Sequence, residues 1–486
     1  MADTVIRNAT IIDGTGAQRF IGDVTMEDGH ITEVGSSTSG AATEVDATGL
    51  VLAPGFVDVH THDDGALLQH PDMEFKISQG CTSVVVGNCG FSAIPAVVGQ
   101  RTLDLSGVQA NWTDLDGYRH DVEKSGPAVN AMMLVGHNTI RSLEMGTERR
   151  APQDLELDRM RQHVELAMEQ GACGFSTGLI YRPGRWSETE EVLELAKVVA
   201  PFEGIYATHM RNENDYLLEA VDEALDIGSK AGVAVQISHH KAAGKRNWGK
   251  VKESLAKVDA AVAEGARVTL DVYPYTAGSG PMIQYFDIEN PNPELAQAIQ
   301  LASCPAFRDY EGRMLIDVAA ELQITAPEAV RHILTAPEGK QTICIQHTMD
   351  EGDILSNLRH DRVMIGSDGI PDLSGRPHPR LYGTFPRVLG RYVREQGILD
   401  LESAIRRMTS LSCDVHGLAD RGRIIEGNWA DLVLFDPDLV ADVASYEDPK
   451  QESLGIRNVW VNGQMAFSEG THTQMGKGKV LRYRKH

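Results

Sequence analysis

Eight short apolar runs are spread along the chain, and amphipathic segments lie between several of them. The runs are GFVDVH, TSVVVGN, NAMMLVGH, CGFSTG, GIYATH, VAVQISH, RVTLDVY and RVMIGSD. Their hydrophobic residues are mostly consecutive, which is typical of strands buried on both faces in a parallel sheet. Segments such as SETEEVLELAKVVAPFE and DYLLEAVDEALDIGSKAG predict helices between them, and the second has a glycine just past its end. Eight such βα units predict an α/β protein with a (β/α)8 barrel of the TIM type.

The two ends of the chain have a different pattern. TVIRNATIIDG and GDVTMEDGHITEVG near the start, and GRIIEGNWADLVLFDP and IRNVWVNGQMAF near the end, read as short strands separated by Gly and Asp turns. We therefore predict a small β-sandwich domain formed from both termini, residues 1–54 plus 418–486, around a barrel of residues 55–417.

The spacing of polar residues at the ends of the runs indicates an insertion. His209, His239 and Asp271 follow one another at intervals of about one βα unit, whereas Asp368 comes 97 residues after Asp271. The excess of roughly 60 residues predicts an insertion between strands 7 and 8, at about residues 280–342. Loops at this end of a barrel carry function, so we expect the insertion to act as a lid.

The charge balance limits the classes of partner. The chain has 45 basic and 69 acidic residues, a net charge of −24, which disfavours contact with phosphate backbones and anionic lipids. No apolar run approaches the ~18 residues of a spanning helix, and MADTVIRNAT does not resemble a signal peptide. The six cysteines are scattered and are expected to be thiols. We predict a cytoplasmic protein with a small-molecule partner and neither nucleic acid nor membrane.

Metal-ligand residue types gather where the predicted strands end. The stretch FVDVHTHDD leaves the first strand with two histidines at i and i+2, which point to the same face. Each such residue alone has an ordinary structural explanation, but their coincidence at the same end of several strands predicts a site for one or two divalent cations. Nitrogen and thiolate ligands favour Zn²⁺. The candidate ligands are His60, His62, Cys89, His209, His239 and Asp368, with His240 beside His239.

Several motifs resemble those of one known family. DVHTHDD together with a distant GSDG resembles the amidohydrolase superfamily. More narrowly, GNCGFS, GLIYRPG, ATHMRNE, ISHHK, VYPYTAGS and GSDGIP followed by HPR resemble the D-aminoacylases, or N-acyl-D-amino-acid deacylases, over nearly the whole chain. The resemblance implies a zinc-dependent hydrolase that converts N-acyl-D-amino acids to a carboxylate and a free D-amino acid.

The resemblance also implies roles for individual residues. A tight zinc would be held by Cys89, His209 and His239, while a weaker second site would be contacted by His60, His62 and Asp368, with Cys89 as the bridge. Cys89 would take the place of the carboxylated lysine of many superfamily members. The substrate α-carboxylate would be held by Tyr181, Lys241 and Tyr275, with Ser279 nearby. The loop of Arg376, His378 and Arg380 is expected to shape the pocket for the substrate side chain, with Arg376 and His378 as contacts.

Hydrolysis of an unactivated amide needs an activated water and a group that moves its proton to the leaving amine. Within the strand-end set, Asp368 suits that task, so we predict it as general base and acid. Two alternatives remain open: a cyclic-amide hydrolase similar to dihydroorotase or hydantoinase, and a non-catalytic scaffold on the same fold. The missing lysine argues against the first, and the retained ligands argue against the second.

Overall fold

The computed structural model describes residues 2–95, 108, 110, 112–473 and 476–483. We number its strands in chain order: β1 (Ala2–Ile11), β2 (Phe20–Glu27), β3 (His30–Gly35), β4 (Ala41–Asp46), β5 (Val51–Pro54), β6 (Phe56–Asp58), β7 (Cys81–Val86), β8 (Asn130–Gly136), β9 (Gly174–Gly178), β10 (Ile205–His209), β11 (Ala234–Ile237), β12 (Val268–Val272), β13 (Gly278–Pro281), β14 (Ile299–Ser303), β15 (Ile343–Gln346), β16 (Val363–Ile365), β17 (Leu432–Phe435), β18 (Ile456–Val461), β19 (Gln464–Ser468) and β20 (Thr471–His472).

The helices of the described residues vary widely in length. The α-helices span Ala66–Gln69, Glu74–Ile77, Leu115–Ser125, His137–Met145, Asp154–Glu169, Thr189–Val199, Leu217–Ala231, Val251–Ala263, Met282–Tyr285, Pro293–Gln297, Leu315–Glu321, Ala326–Thr335, Glu351–Arg359, Arg380–Arg387, Leu401–Met408 and Ser410–Val415. Val388–Glu395 is a π-helix, and short 3₁₀ helices span Gly184–Trp186, Ala200–Phe202, Lys245–Asn247, Arg308–Tyr310 and Gly339–Gln341. In the described part of the chain, we find no helix with the length and apolar character needed to cross a bilayer.

Eight parallel strands form one sheet in the order β6, β7, β8, β9, β10, β11, β12, β16. Each coincides with one of the eight apolar runs, so the predicted barrel is confirmed. The chain segments that follow β6 and β16 meet through backbone hydrogen bonds, in which the His62 amide donates to the Gly369 carbonyl (3.0 Å) and the Asp368 amide donates to the His60 carbonyl (2.6 Å). The sheet is therefore nearly closed, and the ends of its strands converge on one mouth.

The helices between the strands turn their apolar faces inward. Helix Leu217–Ala231 buries Leu217, Val221 and Ala224, which recur at the three- and four-residue spacing of one helix face. It ends at Gly232, whose φ of 74° is a conformation that glycine adopts without strain. The two helices predicted from the sequence in this region are both present.

The two ends of the chain together form a separate sheet, as the sequence predicts, and this sheet has nine strands in the described residues. Its order is β20, β19, β18, β17, β5, β1, β2, β3, and β4 also pairs with β1. Strands from the beginning of the chain meet strands from its end where β5 pairs antiparallel with β17. Its core includes Ile6, Ile11, Val24, Leu432 and Trp460.

A third, antiparallel sheet lies between the seventh and eighth barrel strands, where the sequence predicts an insertion. It has the order β13, β15, β14 and is accompanied by the helices between Met282 and Thr335. Residues such as Phe286, Leu315 and Val330 give it a hydrophobic core of its own. Its role as a lid stays a prediction.

A buried ammonium group joins the two strands that close the barrel. The Lys76 Nζ lies 2.6 Å from Asp58 Oδ2, 3.0 Å from Thr61 Oγ1 and 2.9 Å from Ser367 Oγ. The Ser367 amide also donates to Asp58 (2.8 Å). Asp58 ends β6 and Ser367 follows β16, so this network fixes the segments that carry His60 and Asp368.

Candidate metal centre and active site

The thiol of Cys89 lies at the mouth of the barrel, where three imidazoles meet. Its Sγ is 3.3 Å from His60 Nε2, 3.4 Å from His239 Nε2 and 3.7 Å from His209 Nδ1. Cys89, His60, His209 and His239 are all nearly inaccessible to solvent. The structure therefore brings together four of the six predicted metal ligands around one sulfur atom.

The remaining two predicted ligands, His62 and Asp368, lie beside this group. Asp368 Oδ1 is 3.1 Å from His62 Nε2 and 3.5 Å from His60 Nε2. One donor atom from each of His60, Cys89, His239 and Asp368 can be chosen so that all four lie within 4.8 Å of one another. The six residues form one continuous cluster.

The backbone at three of these residues is left-handed. Cys89, His239 and Asp368 have φ values of 54°, 35° and 49°, which L side chains rarely adopt. Such a conformation costs of the order of 1–3 kcal/mol and persists when surrounding contacts enforce it. The His239 amide donates to Asp271 Oδ1 (2.8 Å), and the Asp368 amide donates to the His60 carbonyl. This concentration of strained backbone is typical of a functional site.

The ionisation of Cys89 and Asp368 gives the cluster two anions. Burial alone would raise the pKa of Cys89, but His60, His239 and His209 hold the pKa of this thiol well below its ordinary value of 9.0. Burial would likewise raise the pKa of Asp368, but Arg380, His239, His62 and His60 hold it well below 3.8. The surroundings therefore favour the thiolate form of Cys89 and the carboxylate form of Asp368.

The cluster fits a bound cation chemically. Burial lowers the pKa of His60, but its contacts with Asp271 and Cys89 raise that pKa well above 6.5, so the anions of the site favour positive charge between them. A metal ion supplies that charge when the imidazoles are neutral. One thiolate with two or three imidazole nitrogens is a set of ligands that zinc prefers.

A cavity of about 640 Å³ opens onto this cluster. Its inner wall includes His62, Cys89, Tyr181, Ser279 and Asp368. Residues of the insertion, among them Gln284, Ser303, Arg308, Lys340 and Gln341, also line it. The insertion therefore contributes to the cavity onto which the metal cluster opens.

Tyr181 and Ser279, two predicted substrate contacts, line this cavity. The ring of Tyr181 lies 4.5 Å from that of His209, measured between centroids, and its hydroxyl is 3.1 Å from the Tyr285 hydroxyl of the insertion. Burial raises the pKa of Tyr181 well above its ordinary value of 10.0, so its phenol stays protonated. It can donate a hydrogen bond to a bound molecule.

The structure places the other predicted substrate residues elsewhere. The Nζ of Lys241 is 2.7 Å from Glu213 Oε1 and 2.8 Å from His239 Nδ1, beside the metal cluster. Tyr275 directs its hydroxyl towards Asp442 (3.4 Å). Arg376 is exposed and contacts the Glu447 carbonyl, and His378 is buried, with its Nδ1 accepting a hydrogen bond from the Arg380 amide (3.0 Å). Their roles in substrate binding stay predictions.

Three residues that were not predicted as metal ligands or substrate contacts lie against the cluster. Asp271 lies 3.1 Å from His60 Nδ1, and Glu213 lies 2.9 Å from His239 Nδ1. Arg380 places its Nη1 2.9 Å from Asp368 Oδ2 and its guanidinium 4.4 Å from the centre of the Tyr273 ring. The sequence contained a signal for each of these residues: the strand end at Asp271, the ATHMRNE motif that contains Glu213, and the loop that ends at Arg380.

His137 and His240 also lie close to strand ends, but their hydrogen-bond partners are outside the metal cluster. His137 Nε2 is 2.8 Å from the buried carboxylate of Glu191. His240 contacts Asn357 and Ser254, each at 2.7 Å, and points away from the cluster that contains its neighbour His239. His239 and His240 both lie just after β11, where the left-handed backbone of His239 (φ 35°) turns the chain, and their side chains have different partners.

Comparisons with known proteins agree with this geometry. The model of the Amidohydrolase family matches residues 43–467. The chain is 41% identical to D-aminoacylase from Alcaligenes xylosoxydans xylosoxydans over 484 residues, 99% of this chain and 97% of the relative. It is 40% identical to N-acyl-D-glutamate deacylase from the same organism over 487 residues, 99% of this chain and 96% of the relative.

A solved structure matches the whole fold. N-acyl-D-glutamate deacylase from Bordetella bronchiseptica, in complex with zinc and a phosphonate that mimics the tetrahedral intermediate, superposes with a TM-score of 0.92. The two chains are 39% identical, and the match covers 99% of each.

Proposed function

The chain belongs to the amidohydrolase family, and on that premise we propose that it hydrolyses N-acyl-D-amino acids to a carboxylate and a free D-amino acid, with zinc as its cofactor. The observation that carries the proposal is the Cys89 thiolate, surrounded by three imidazoles and Asp368 on the inner wall of a cavity. The D configuration is supported by the names of the full-length relatives.

We propose that Cys89, His209 and His239 hold the tight zinc. His60, His62 and Asp368 contribute to a weaker second site, with Cys89 between the two. Zinc bound there would act as a Lewis acid, which would polarise the scissile carbonyl and lower the pKa of a water molecule. The left-handed backbone of Cys89 and His239 directs their side chains to a common point and supports this assignment.

Asp368 moves the proton in this scheme. Its carboxylate accepts a proton from the attacking water and then delivers that proton to the amide nitrogen as the C–N bond breaks. Arg380 and the neighbouring histidines hold the pKa of Asp368 down, so the group is ionised before the reaction. His62, 3.1 Å from Oδ1, orients the carboxylate.

Cationic side chains beside the cluster suit the α-carboxylate of the substrate. The Nζ of Lys241 and the guanidinium of Arg380 lie 5.8 and 4.4 Å from the centre of the same Tyr273 ring. Among the described residues, the Nε and Nη1 of Arg380 have no hydrogen-bond acceptor in suitable geometry. We propose that Lys241 and Arg380 bind the carboxylate, while Tyr181 and Ser279 contact the remainder of the substrate.

The proposal also covers the domain boundaries, the location of the protein and the absence of nucleic-acid binding. The barrel is taken to span residues 55–417, with the β domain at 1–54 and 418–486 and a lid at about 280–342. The cytoplasm is the proposed location, which the six free, buried cysteines support. The net charge of −24 supports a protein that does not bind nucleic acid.

Substrate profiling tests the proposed function. The purified zinc protein should release free amine from N-acetyl-D-amino acids and leave the L enantiomers largely intact. Substrates with an esterified α-carboxylate should react poorly, and Lys241→Met should raise the KM for the free acid more than it changes kcat. Hydrolysis of hydantoins or dihydroorotate in place of linear D substrates would contradict the proposal and favour the cyclic-amide alternative.

A further inference from the structure

The carboxylate of Glu213 contacts three side chains of the site. It lies in the loop after β10 and is buried, with 7% of its surface exposed. Its oxygens are 2.9 Å from His239 Nδ1, 3.4 Å from His209 Nε2 and 2.7 Å from Lys241 Nζ. The partners come from the ends of β10 and β11, so Glu213 joins two neighbouring strand ends.

The two imidazoles use opposite nitrogens in the same arrangement. His239 faces Cys89 with Nε2 and Glu213 with Nδ1, whereas His209 faces Cys89 with Nδ1 and Glu213 with Nε2. Each ring is thus placed between the thiolate and this carboxylate. The contact with His239 Nδ1 is the closer one, at 2.9 Å, whereas the 3.4 Å contact with His209 Nε2 lacks hydrogen-bond geometry among the described residues.

A second metal ion between Glu213 and these histidines is the competing interpretation, because the donors of His209, Glu213 and His239 lie within 4.8 Å of one another. The ammonium of Lys241 decides against it. Its Nζ lies 2.7 Å from Glu213 Oε1 and 2.8 Å from His239 Nδ1, so this space already contains a cation. Glu213 therefore acts behind the ligands and does not itself bind metal.

We propose that Glu213 is a positioning residue that fixes the rotation of His209 and His239 and anchors the ammonium of Lys241 beside them. A carboxylate packed against the far side of a metal-binding imidazole holds that ring in the orientation that the metal requires. Because one side chain contacts all three groups, it sets the distance between the metal ligands and the cation that binds the substrate. The part concerning Lys241 rests on the proposed function.

Zinc affinity without substrate tests the proposal directly. Glu213→Gln keeps the shape of the side chain but removes its charge, and the zinc Kd, measured by competition with a chromogenic chelator, should rise about 10- to 100-fold. Glu223→Gln is the matched control, because Glu223 lies near the same loop and pairs with Arg211 without contacting the cluster. A Kd for Glu213→Gln within about twofold of the control would overturn the proposal.

A shorter carboxylate covers the case in which the Gln variant does not fold. Glu213→Asp retains the charge but retracts it by one methylene, so zinc affinity should fall measurably in a protein with unchanged circular dichroism. An unchanged affinity in that variant would equally contradict the positioning role.

Kinetics separate the zinc effect from the substrate effect. At saturating zinc, Glu213→Gln should still raise KM, and this increase should disappear in a Lys241→Met background if Glu213 acts through Lys241. An increase in KM of equal size in both backgrounds would refute that part. If the unmodified protein hydrolysed no N-acyl-D-amino acid, the proposed function would fail, while the zinc measurement would still decide the positioning role.

Discussion

The backbone of Cys89 is left-handed, and its sulfur atom is both buried and in contact with three imidazoles. Burial favours the neutral thiol and the imidazoles favour the thiolate, and the imidazoles prevail. The other buried cysteines lack such neighbours. Burial raises the pKa of Cys173 to about 12, for example, and the thiol of that residue donates to the Met133 carbonyl. The surroundings, and not burial itself, distinguish a metal ligand from a packing residue.

Replacing Cys89 by alanine should therefore abolish tight zinc binding and activity, because the remaining neutral imidazoles offer no anionic ligand. Elemental analysis after dialysis should find far less than one zinc per chain in Cys89→Ala. Cys173→Ala, which removes an equally buried thiol remote from the cluster, should keep its zinc. Full zinc occupancy in Cys89→Ala would mean that the ligand assignment is wrong.

Asp368→Asn should separate proton transfer from metal binding. The amide is nearly isosteric but cannot accept a proton, and a positioned base contributes roughly 10²- to 10⁴-fold, so kcat should fall at least that far. Zinc content should be retained, because the three proposed tight ligands do not include Asp368. A loss of activity below about tenfold would assign the proton transfer to another group.

At the scale of elements, the site depends on close approach between strand ends. Gly178 ends β9 beside the loop that carries Cys89, and a methyl group on its Cα would overlap the Cys89 carbonyl oxygen. It would also lie 2.8 Å from Cδ2 of Tyr181. The backbones meet here because one residue lacks a side chain.

We expect Gly178→Ala to displace the Cys89 loop while the barrel still folds. Zinc affinity and kcat/KM should both fall by at least tenfold, with little change in circular dichroism, because the overlap is confined to the mouth of the barrel. Gly40→Ala is the control, since nothing lies within 4 Å of the added methyl group. Wild-type zinc affinity in Gly178→Ala would show that the loop can move without consequence for the site.

At the scale of the whole molecule, a buried polar network joins the terminal sheet to the barrel. Arg421 pairs with Asp431 and donates to Asn462 Oδ1 (2.8 Å), while the Asn462 amide donates to Asp431 (2.6 Å). Asn130, the first residue of β8, donates to Asp431 Oδ2 (3.3 Å) and accepts from Asn462 Nδ2 (2.9 Å). Segments more than 300 residues apart in sequence thus share one set of buried charges and amides.

Removing Asp431 should destabilise the whole chain. Asp431→Ala leaves the buried Arg421 without its carboxylate, and breaking such a pair costs about 3–5 kcal/mol. The free energy of unfolding in urea should fall accordingly. Glu469→Gln, which removes a surface partner of Arg457 in the same sheet, should change stability little. Equal stability of the two variants would argue against coupling through this network.

Much of the fold was predictable because its signals are local. Runs of consecutive apolar residues predict strands of a parallel sheet, and their number and spacing led to the barrel and to an insertion before its last strand. The metal cluster was accessible for the same reason. Parallel strands bring their carboxyl ends to one edge, so histidines, a cysteine and an aspartate at strand ends had to converge.

The tertiary structure alone decided which side chains support that cluster. Tyr273 and Tyr275 lie two residues apart, yet the first ring contacts Lys241 and Arg380 and the hydroxyl of the second points to Asp442, because the chain turns after β12 ends. Glu213 follows β10, Asp271 lies in β12 and Arg380 begins a helix, yet all three contact the same cluster. Residue type and periodicity determine the strands and the ends they share, but the contacts of a buried charge depend on where distant loops pack.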